Sequence, residues 1–307
     1  MRIVVHGQQA FGKAVLEALI ERGDDVVAVY APPGGDRPDP LAEAATTAGL
    51  PLVRPASFKD PAEHEEFRSF APDLQVMAFV TLIVPAELLA APTYGTIQYH
   101  PSLLPKHRGR SAINWPVING ETETGLTVFW PNGGIDTGDV LLQKRTPISE
   151  VDTLGSLYFG RLFPMGVEAL LEAVDLVKAG AASRMPQDES QATYEAPCEK
   201  ASARLDWGTP CRRLYDLVRG CDPSPGAWTT HGGEDLQVFS AEPLPARDVS
   251  GLGGAIGEVV EVGDAGFSVV CADGRLRVTR VKPAGGKKTD AGAWAAERGL
   301  RAGVRLE

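Results

Sequence analysis

The first half of the chain alternates between strand-like and helix-like segments, and this alternation limits the possible folds more than any other feature. Apolar runs predict strands at Arg2–His6 and Val26–Tyr30, and apolar residues at helical spacing predict a helix over Ala10–Glu21 between them. Strands joined by crossover helices form a mostly parallel sheet with helices on both faces. The sequence therefore predicts an α/β fold. Further strands are predicted at Leu74–Val80, Thr96–His100 and Leu126–Trp130, and further helices at Leu41–Ala48 and Pro85–Ala90.

A long helical stretch follows, from Asp152 to Lys178. Asp152 is placed to cap its start, and Pro164 is expected to kink or interrupt it. Residues 181–196 are polar and lose the periodicity, which is typical of a linker. We therefore place the end of the first domain at residue 180.

After Trp207 the pattern changes again. One predicted helix, Pro210–Arg219, precedes short β-rich runs that are separated by Gly, Asp and Pro turns. Several short strands of this kind favour a small β-barrel or sandwich. The predicted domains are thus residues 1–180, a linker over 181–203, and a β domain over 204–307. The β-rich runs are Leu236–Ala241, Ala255–Val262, Phe267–Ala272 and Leu276–Val281.

Composition restricts the class of protein further. With 307 residues, of which 43% are hydrophobic, the chain can bury a core in each of two domains. Its apolar runs all fall well short of the roughly 20 residues that cross a bilayer. The opening Met1–Val5 has the character of a strand and not of a leader, so we expect a cytoplasmic protein without a membrane partner. The four cysteines form no CxxC pair, and neither a disulfide scaffold nor a metal site is expected.

The net charge of −10 excludes a broad surface for nucleic acid, because such binding depends on neutralising phosphates. A local basic strip is possible near the end of the chain. Acidic residues are frequent around it, so a solvated strand face is the favoured interpretation. The strip would consist of Arg275, Arg277, Arg280, Lys282, Lys287 and Lys288.

The turn after the first strand, Gly7–Gly12, partly matches a dinucleotide-binding fingerprint. That fingerprint needs a middle glycine so that the backbone can approach a pyrophosphate, and here Gln9 occupies the position. A tight strand-to-helix turn is therefore favoured over NAD binding.

Two loops carry residues suited to catalysis. His100 ends a predicted strand, and Asp136 lies in the loop that follows the strand Leu126–Trp130. If these strands are parallel neighbours, their ends bring the two side chains together, since ligands of open α/β sheets bind beyond the carboxyl ends of strands. A His–Asp pair can hold a proton and stabilise an oxyanion. A structural histidine and a turn-capping aspartate remain the alternatives.

Several motifs together resemble the 10-formyltetrahydrofolate-dependent formyltransferase superfamily. Within that group the chain is most similar to the N-terminal hydrolase domain of 10-formyltetrahydrofolate dehydrogenase, and its tail resembles the C-terminal domain of methionyl-tRNA formyltransferase. The resemblance covers nearly the whole chain. It rests on Tyr99-His100-Pro101-Ser102, His107-Arg108-Gly109, Ser111-Ala112-Ile113-Asn114-Trp115, Ile135-Asp136-Thr137-Gly138-Asp139 and Pro225-Gly226-Ala227-Trp228.

The resemblance implies a Rossmann-like formyltransferase fold followed by an OB-like β-barrel. It places the catalytic pair on His100 and Asp136, and 10-formyltetrahydrofolate as the formyl donor, with no metal. Gln98 stands where transferases of the superfamily have Asn and the hydrolase domain has an apolar residue, so the acceptor stays open. The residues implied to line the folate site, besides Asp136, are Leu82, Ile83 and Val84 around the pterin ring and Ser102, Leu103, Leu104 and Pro105 in the following loop.

Three functions follow from these expectations. Hydrolysis of 10-formyltetrahydrofolate to tetrahydrofolate and formate is favoured because the likeness to the hydrolase domain is greatest. The second is transfer to an amine, such as methionyl-tRNA, an amino sugar or another metabolite, with tRNA disfavoured by the net charge. The third is a folate-binding module without turnover. His107 and Arg108 are expected to anchor a loop or face solvent, and not to be catalytic.

Overall fold

The computed structural model describes residues 1–245 and 253–307. Its strands are β1 Arg2–Gly7, β2 Asp25–Tyr30, β3 Leu52–Val53, β4 Leu74–Ala78, β5 Thr96–His100, β6 Glu123–Phe129, β7 Val140–Pro147, β8 Ala227–His231, β9 Glu234–Pro245, β10 Val259–Gly263, β11 Gly266–Cys271, β12 Gly274–Pro283 and β13 Thr289–Asp290. Its α-helices are α1 Gln9–Glu21, α2 Pro40–Thr47, α3 Pro61–Ser69, α4 Ala86–Leu89, α5 Asn114–Ile118, α6 Leu154–Leu157, α7 Phe163–Lys178, α8 Cys211–Gly220 and α9 Ala291–Arg298.

Seven strands form the first sheet, in the order β3-β2-β1-β4-β5-β6-β7. The pairs from β3 to β5 are parallel, which confirms the predicted mostly parallel α/β sheet. The expectation that the strands before the two candidate loops run parallel is wrong. β5 and β6 are antiparallel neighbours, with His100 opposite Thr127.

Helices cover both faces of this sheet. On one face α1, α2 and α7 bury Phe11, Leu41 and Leu170 against the strands. On the other face α3 and α4 bury Phe67 and Leu88. Because both faces are covered, the central strands β1 and β4 are buried along nearly their whole length, which explains the apolar runs there in the sequence.

The helical stretch predicted from Asp152 to Lys178 is interrupted just before Pro164. The chain forms α6, a π-helical turn over Tyr158–Leu162, and then α7. Thr153 and not Asp152 caps the start, because its hydroxyl accepts a hydrogen bond from the Ser156 N–H. Pro164 falls in the first turn of α7, where a missing N–H costs little, so it begins a helix and does not kink one.

The second sheet is antiparallel and has six strands, in the order β10-β11-β12-β9-β8 with β13 on β12. Its apolar side packs with α8 and α9 around Leu214, Phe267 and Trp294. The predicted second, β-rich C-terminal domain is confirmed, and its strands form an antiparallel sheet. None of the described helices is both long and apolar enough to cross a bilayer.

The chain forms two compact units. The first contains residues 1–109, 125–146 and 159–194, and the second contains residues 110–124, 147–158 and 195–307. The grouping places 181–194, predicted as linker, within the first unit, where Val140 and Met185 exchange backbone hydrogen bonds.

Candidate active site

β5 sets the direction of the candidate catalytic side chains. Alternate residues of a strand point to the same face, so Gln98 and His100 share one face and Tyr99 points to the other. Tyr99 packs there against Phe11, with the two ring centroids 4.4 Å apart. The carboxyl end of β5 thus presents His100, with Gln98 two residues before it on the same side.

His100 and Asp136 lie together, as predicted. The Nδ1 atom of His100 is 3.5 Å from Oδ2 of Asp136, and the two residues are 5% and 9% exposed. The Nε2 atom of His100 donates to the carbonyl of His107 at 2.9 Å, since a carbonyl can only accept. Nε2 therefore carries a proton. A second proton on Nδ1 makes the ring cationic and turns its contact with the carboxylate into an attraction.

Asp136 reaches this position from the loop over residues 131–139. Because β6 runs antiparallel to β5, its end lies beside Gln98, in the middle of β5, and not beside His100. The loop brings Asp136 back to the histidine, and Asp136 itself adopts a left-handed backbone with φ of 54°. Its Oδ2 accepts a hydrogen bond of 2.7 Å from the Gly109 N–H. The pair was thus predicted correctly from an incorrect strand direction.

Gln98 is half-buried on the His100 face of the sheet. Its side-chain amide makes no hydrogen bond to the residues that the structure describes. The amide offers two N–H donors and one acceptor. It is therefore available to a bound molecule on the face that carries His100.

The residues predicted to surround a pterin ring differ strongly in exposure. Val84 is buried in the core between the sheet and α3, and half-buried Leu82 packs against that core. Ile83 is 88% exposed, and so is available to a ligand. Two further apolar side chains that the sequence did not single out, Phe79 and Ile135, are 45% and 66% exposed on the loops after β4 and β6.

The loop after His100 is held by hydrogen bonds to its own backbone and to β6. The buried hydroxyl of Ser102 donates to the Lys106 carbonyl at 2.6 Å, and the Thr127 hydroxyl donates to the Ser102 carbonyl at 2.7 Å. The Leu104 N–H donates to Thr127, and its side chain is buried. Ser102 and Leu104 therefore shape the loop, while Leu103 and Pro105 are only half-buried. Their role in binding a ligand stays a prediction.

The turn after β1 is a tight strand-to-helix turn. A Cβ atom on Gly7 would lie 2.2 Å from the Ala78 carbonyl oxygen, so close packing between β1 and β4 requires the glycine. Gln9 has φ of 59°, and its N–H donates to Asp39 at 2.9 Å. The preference for a structural turn over a dinucleotide site agrees with these contacts.

The described residues contain one group of three side chains with metal-ligating atoms, Cys211, Cys271 and Asp273, all within 4.8 Å of one another. Asp273 accepts a hydrogen bond of 2.7 Å from the Cys211 N–H, at the start of α8. Burial raises the pKa of Cys211, and raises that of Cys271 to about 12. Helix capping and thiol packing account for this group. The other two cysteines, Cys198 and Cys221, have sulfur atoms 3.8 Å apart.

Comparison with known proteins identifies the family to which the chain belongs. Residues 1–174 match the formyl transferase family, and residues 197–299 match the formyl transferase C-terminal domain. The chain belongs to the formyl transferase family. It is 38% identical to methionyl-tRNA formyltransferase of Moorella thermoacetica over 96% of this chain and 95% of that protein.

One further relative is similar over part of its length, and one solved structure is similar in fold. Cytosolic 10-formyltetrahydrofolate dehydrogenase of Mus musculus is 39% identical over 78% of this chain, which spans only 27% of that protein. The structure of WlaRD, a sugar 3N-formyl transferase in the presence of dTDP and 5-N-formyl-THF, superposes with a TM-score of 0.69 at 17% identity, over 92% of this chain and 97% of that one. At this identity the likeness shows the fold alone.

Sequence reasoning missed a set of residues that hold the site together. They lie in the segment predicted as linker, and Arg108 is their partner in the loop after His100. Arg108 is fully buried, which agrees with a loop-anchoring role and excludes the solvent-facing alternative. The segment offered no periodic pattern that could have revealed them. Its contacting residues are Gln187, Glu189, Thr193 and Tyr194.

Proposed function

We propose that this protein is a 10-formyltetrahydrofolate-dependent enzyme that uses His100 and Asp136 to move the formyl group to an acceptor. The observation that carries the proposal is the contact between His100 and Asp136 at the carboxyl end of β5. A protein that only binds folate has no need for a paired imidazole and carboxylate. The names of its relatives, which include formyltransferases and 10-formyltetrahydrofolate dehydrogenases, support the choice of donor.

The chemistry follows from the charges of the pair. The formyl group on N10 is an amide, and attack on its carbon places negative charge on the formyl oxygen. Nε2 of His100 is held by the His107 carbonyl, so the donor from protonated His100 is its Nδ1–H, which lies 3.5 Å from Asp136 without a hydrogen bond. The Gln98 amide supplies a second donor, and a donor of this kind lowers a barrier by about 3–4 kcal/mol. Asp136 stabilises the imidazolium and accepts the proton that the nucleophile loses.

Water is the first candidate acceptor. The bond between N10 and the formyl carbon breaks, a bond from the water oxygen to that carbon forms, and the proton moves by way of Asp136 to N10. The products are tetrahydrofolate and formic acid, which releases its remaining proton to the solvent and leaves as formate. The likeness to the hydrolase domain of the dehydrogenases supports this reaction. The cytoplasmic location expected from the sequence stays a prediction.

An amine is the second candidate acceptor, and Gln98 is the observation that favours it. The superfamily pattern has Asn at this position in transferases, and Gln98 keeps the amide on a side chain one methylene longer. A relative that the chain matches along almost its whole length is named as a formyltransferase.

One experiment separates these functions. The purified protein is incubated with 10-formyltetrahydrofolate alone, and tetrahydrofolate formation is followed by absorbance. Turnover without an acceptor supports hydrolysis, whereas turnover only after addition of an amino sugar nucleotide or methionyl-tRNA supports transfer. Tight folate binding without turnover under either condition would overturn the enzymatic proposal and support a binding module.

A further inference from the structure

Three consecutive residues, His107 to Gly109, contact both members of the catalytic pair. The His107 carbonyl accepts from Nε2 of His100 at 2.9 Å, and the Gly109 N–H donates to Oδ2 of Asp136 at 2.7 Å. The direction of the imidazole and of the carboxylate therefore depends on where the backbone of 107–109 lies.

Residues 187–194 hold that backbone. The His107 N–H donates to the Thr193 hydroxyl at 2.7 Å, and the Arg108 N–H donates to the Thr193 carbonyl at 3.1 Å. The guanidinium of Arg108 donates to both carboxylate oxygens of Glu189 at 2.6 and 2.9 Å, and to the Tyr194 hydroxyl at 2.5 Å. Bidentate pairs of this kind fix geometry as well as contributing energy.

Gln187 joins this anchored backbone to the loop that carries Asp136. Its Oε1 accepts from two nitrogens of Arg108, at 3.1 and 2.7 Å. Its Nε2 donates to the carbonyls of Asp136 and Gly138, at 2.9 and 2.6 Å. Both N–H donors and both acceptor positions of the amide are thus used.

Only an amide fits between these partners. The guanidinium offers donors alone, and the two carbonyls offer acceptors alone. A carboxylate at position 187 would keep the bonds to Arg108 but would face two carbonyl oxygens without a donor. An amine would lose the acceptor that Arg108 needs. The chemistry of the side chain, and not only its size, is therefore specified by the contacts.

We propose that Gln187 is a positioning residue for the reaction at His100 and Asp136. It holds Asp136, whose backbone is left-handed, against the 107–109 backbone and so sets the separation of the carboxylate from the imidazole. The inference rests on the proposed function. Gln187 also lies between the two regions that match the formyl transferase family, residues 1–174 and 197–299, so neither match assigns it a role.

The test compares two variants, Gln187→Glu, which keeps the size and shape of the side chain, and Gln187→Ala, which removes it. Gln191→Ala is the control. Gln191 is exposed in the same segment, and its side chain bonds only to Asp188 among the described residues. A displacement of about 1 Å at a reacting group can lower a rate by roughly 100-fold. We expect kcat to fall about 10- to 100-fold in both Gln187 variants, with KM for 10-formyltetrahydrofolate changed less than about threefold. The control should keep both values.

Circular dichroism checks that each variant is folded, and a crystal structure of Gln187→Glu gives a readout independent of activity. A separation between His100 Nδ1 and Asp136 Oδ2 larger than in the parent protein supports the inference. An unchanged separation, or an unchanged kcat in an active parent background, would overturn it while leaving the proposed function in place. An inactive parent protein would contradict the proposed function, and the crystallographic separation would still decide the role of Gln187.

Discussion

At the scale of single residues, the proposed mechanism needs both His100 and Asp136, which lie 3.5 Å apart, so we expect loss of either side chain to lower the rate. Removal of His100 takes away the donor for the formyl oxygen, and Asp136→Asn takes away the charge that stabilises the imidazolium. We expect His100→Asn and Asp136→Asn to lower kcat by about 100- to 1,000-fold each, the usual loss for one oxyanion donor. Initial rates of tetrahydrofolate formation at saturating substrate measure the fall in kcat.

A matched histidine variant serves as control. His231 lies in the C-terminal sheet, where its ring meets Trp294 edge-on at 5.4 Å. His231→Asn should keep the parental rate. Parental rates in His100→Asn or Asp136→Asn, with normal circular dichroism, would remove both residues from the mechanism.

Gln98 governs the choice between acceptors if its amide contacts the reacting oxygen. Gln98→Asn withdraws the amide by one methylene while keeping its donors. We expect the ratio of amine transfer to hydrolysis to change by at least about threefold, because the position of one donor sets the geometry around the formyl carbon. The ratio is measured by chromatography of formate and formylated amine from one reaction. An unchanged ratio would place Gln98 outside the contact with the oxyanion.

At the scale of elements, α7 supports β5 directly beneath the site. A Cβ atom on Gly166 of α7 would lie 2.6 Å from Cε2 of Tyr99, and 3.0 Å from the Phe11 ring. Because Tyr99 stands between Gln98 and His100, Gly166→Ala should both destabilise the protein, by about 1–3 kcal/mol, and lower kcat. Thermal unfolding and initial rates measure the two effects.

Gly160 provides the matched control for this helix–strand contact. It lies in the π-helical turn before α7, and no described atom comes within 4 Å of the added Cβ. Gly160→Ala should change stability by less than about 1 kcal/mol. Equal effects of the two alanine substitutions would show that the contact with Tyr99 is not the cause.

Ionic contacts also join α1 to α7. Asp24, just after α1, receives hydrogen bonds from Lys178 and from Arg22 at 2.8 Å. Burial alone would raise the pKa of Asp24, but these two bonds outweigh it and lower the pKa. A lowered carboxyl pKa gives stability that is present above the ordinary value of about 4 and is lost as pH falls through the lowered value.

The parent protein should therefore be more stable than Asp24→Asn by about 1 kcal/mol at pH 7, and the difference should shrink toward pH 3. Urea unfolding midpoints of both proteins at pH 7, 5 and 3 measure it. A difference that does not change with pH would show that packing, and not charge, is responsible.

The sequence carried enough information to predict β5 at its observed bounds, and with it the position of His100 at a strand end. It could not indicate the direction of β6, because the apolar run around Leu126 is the same in a parallel and an antiparallel neighbour. The wrong direction still led to the correct pair, because loop 131–139 carries Asp136 back to His100.

Residues 187–194, which anchor the loop after His100, could not be predicted for a different reason. They contact the site through side-chain and backbone hydrogen bonds and bury no regular apolar face, so their apolar residues show no periodic spacing in the sequence. Arg108 was the one indication, because an arginine between a histidine and a glycine in a dense loop has anchoring as one of its ordinary roles. Its partners could be found only from the fold.

At the scale of the whole molecule, the site draws on distant parts of one compact unit. His100, Gly109, Asp136 and Gln187 come from three separate stretches of chain, and all belong to the first unit. The contacts described above between these four residues therefore all lie within the first unit. The basic strip predicted from the sequence, where a tRNA would bind if it were the acceptor, lies in the second unit.

Charge on the second unit argues against tRNA as that acceptor. Within the basic strip predicted from the sequence, Arg277 pairs with Glu242 at 3.4 Å and Lys288 pairs with Asp222 at 2.9 Å. Carboxylates therefore already neutralise part of the strip, and the whole chain has a net charge of −10. Binding of nucleic acid depends on releasing counterions from phosphates, so a partly neutralised strip gives weak affinity.

We therefore expect methionyl-tRNA to be neither acceptor nor inhibitor. Turnover of 10-formyltetrahydrofolate should change less than about twofold between 50 and 200 mM salt, whereas an acceptor bound through several phosphate contacts would be held much more weakly at the higher salt concentration. Acid gel electrophoresis detects formylated methionyl-tRNA, and the 38% identical formyltransferase from Moorella thermoacetica is the positive control. Formylated product that falls steeply with salt, and is lost in Lys282→Glu but kept in Lys13→Glu, would instead make the strip a tRNA-binding surface.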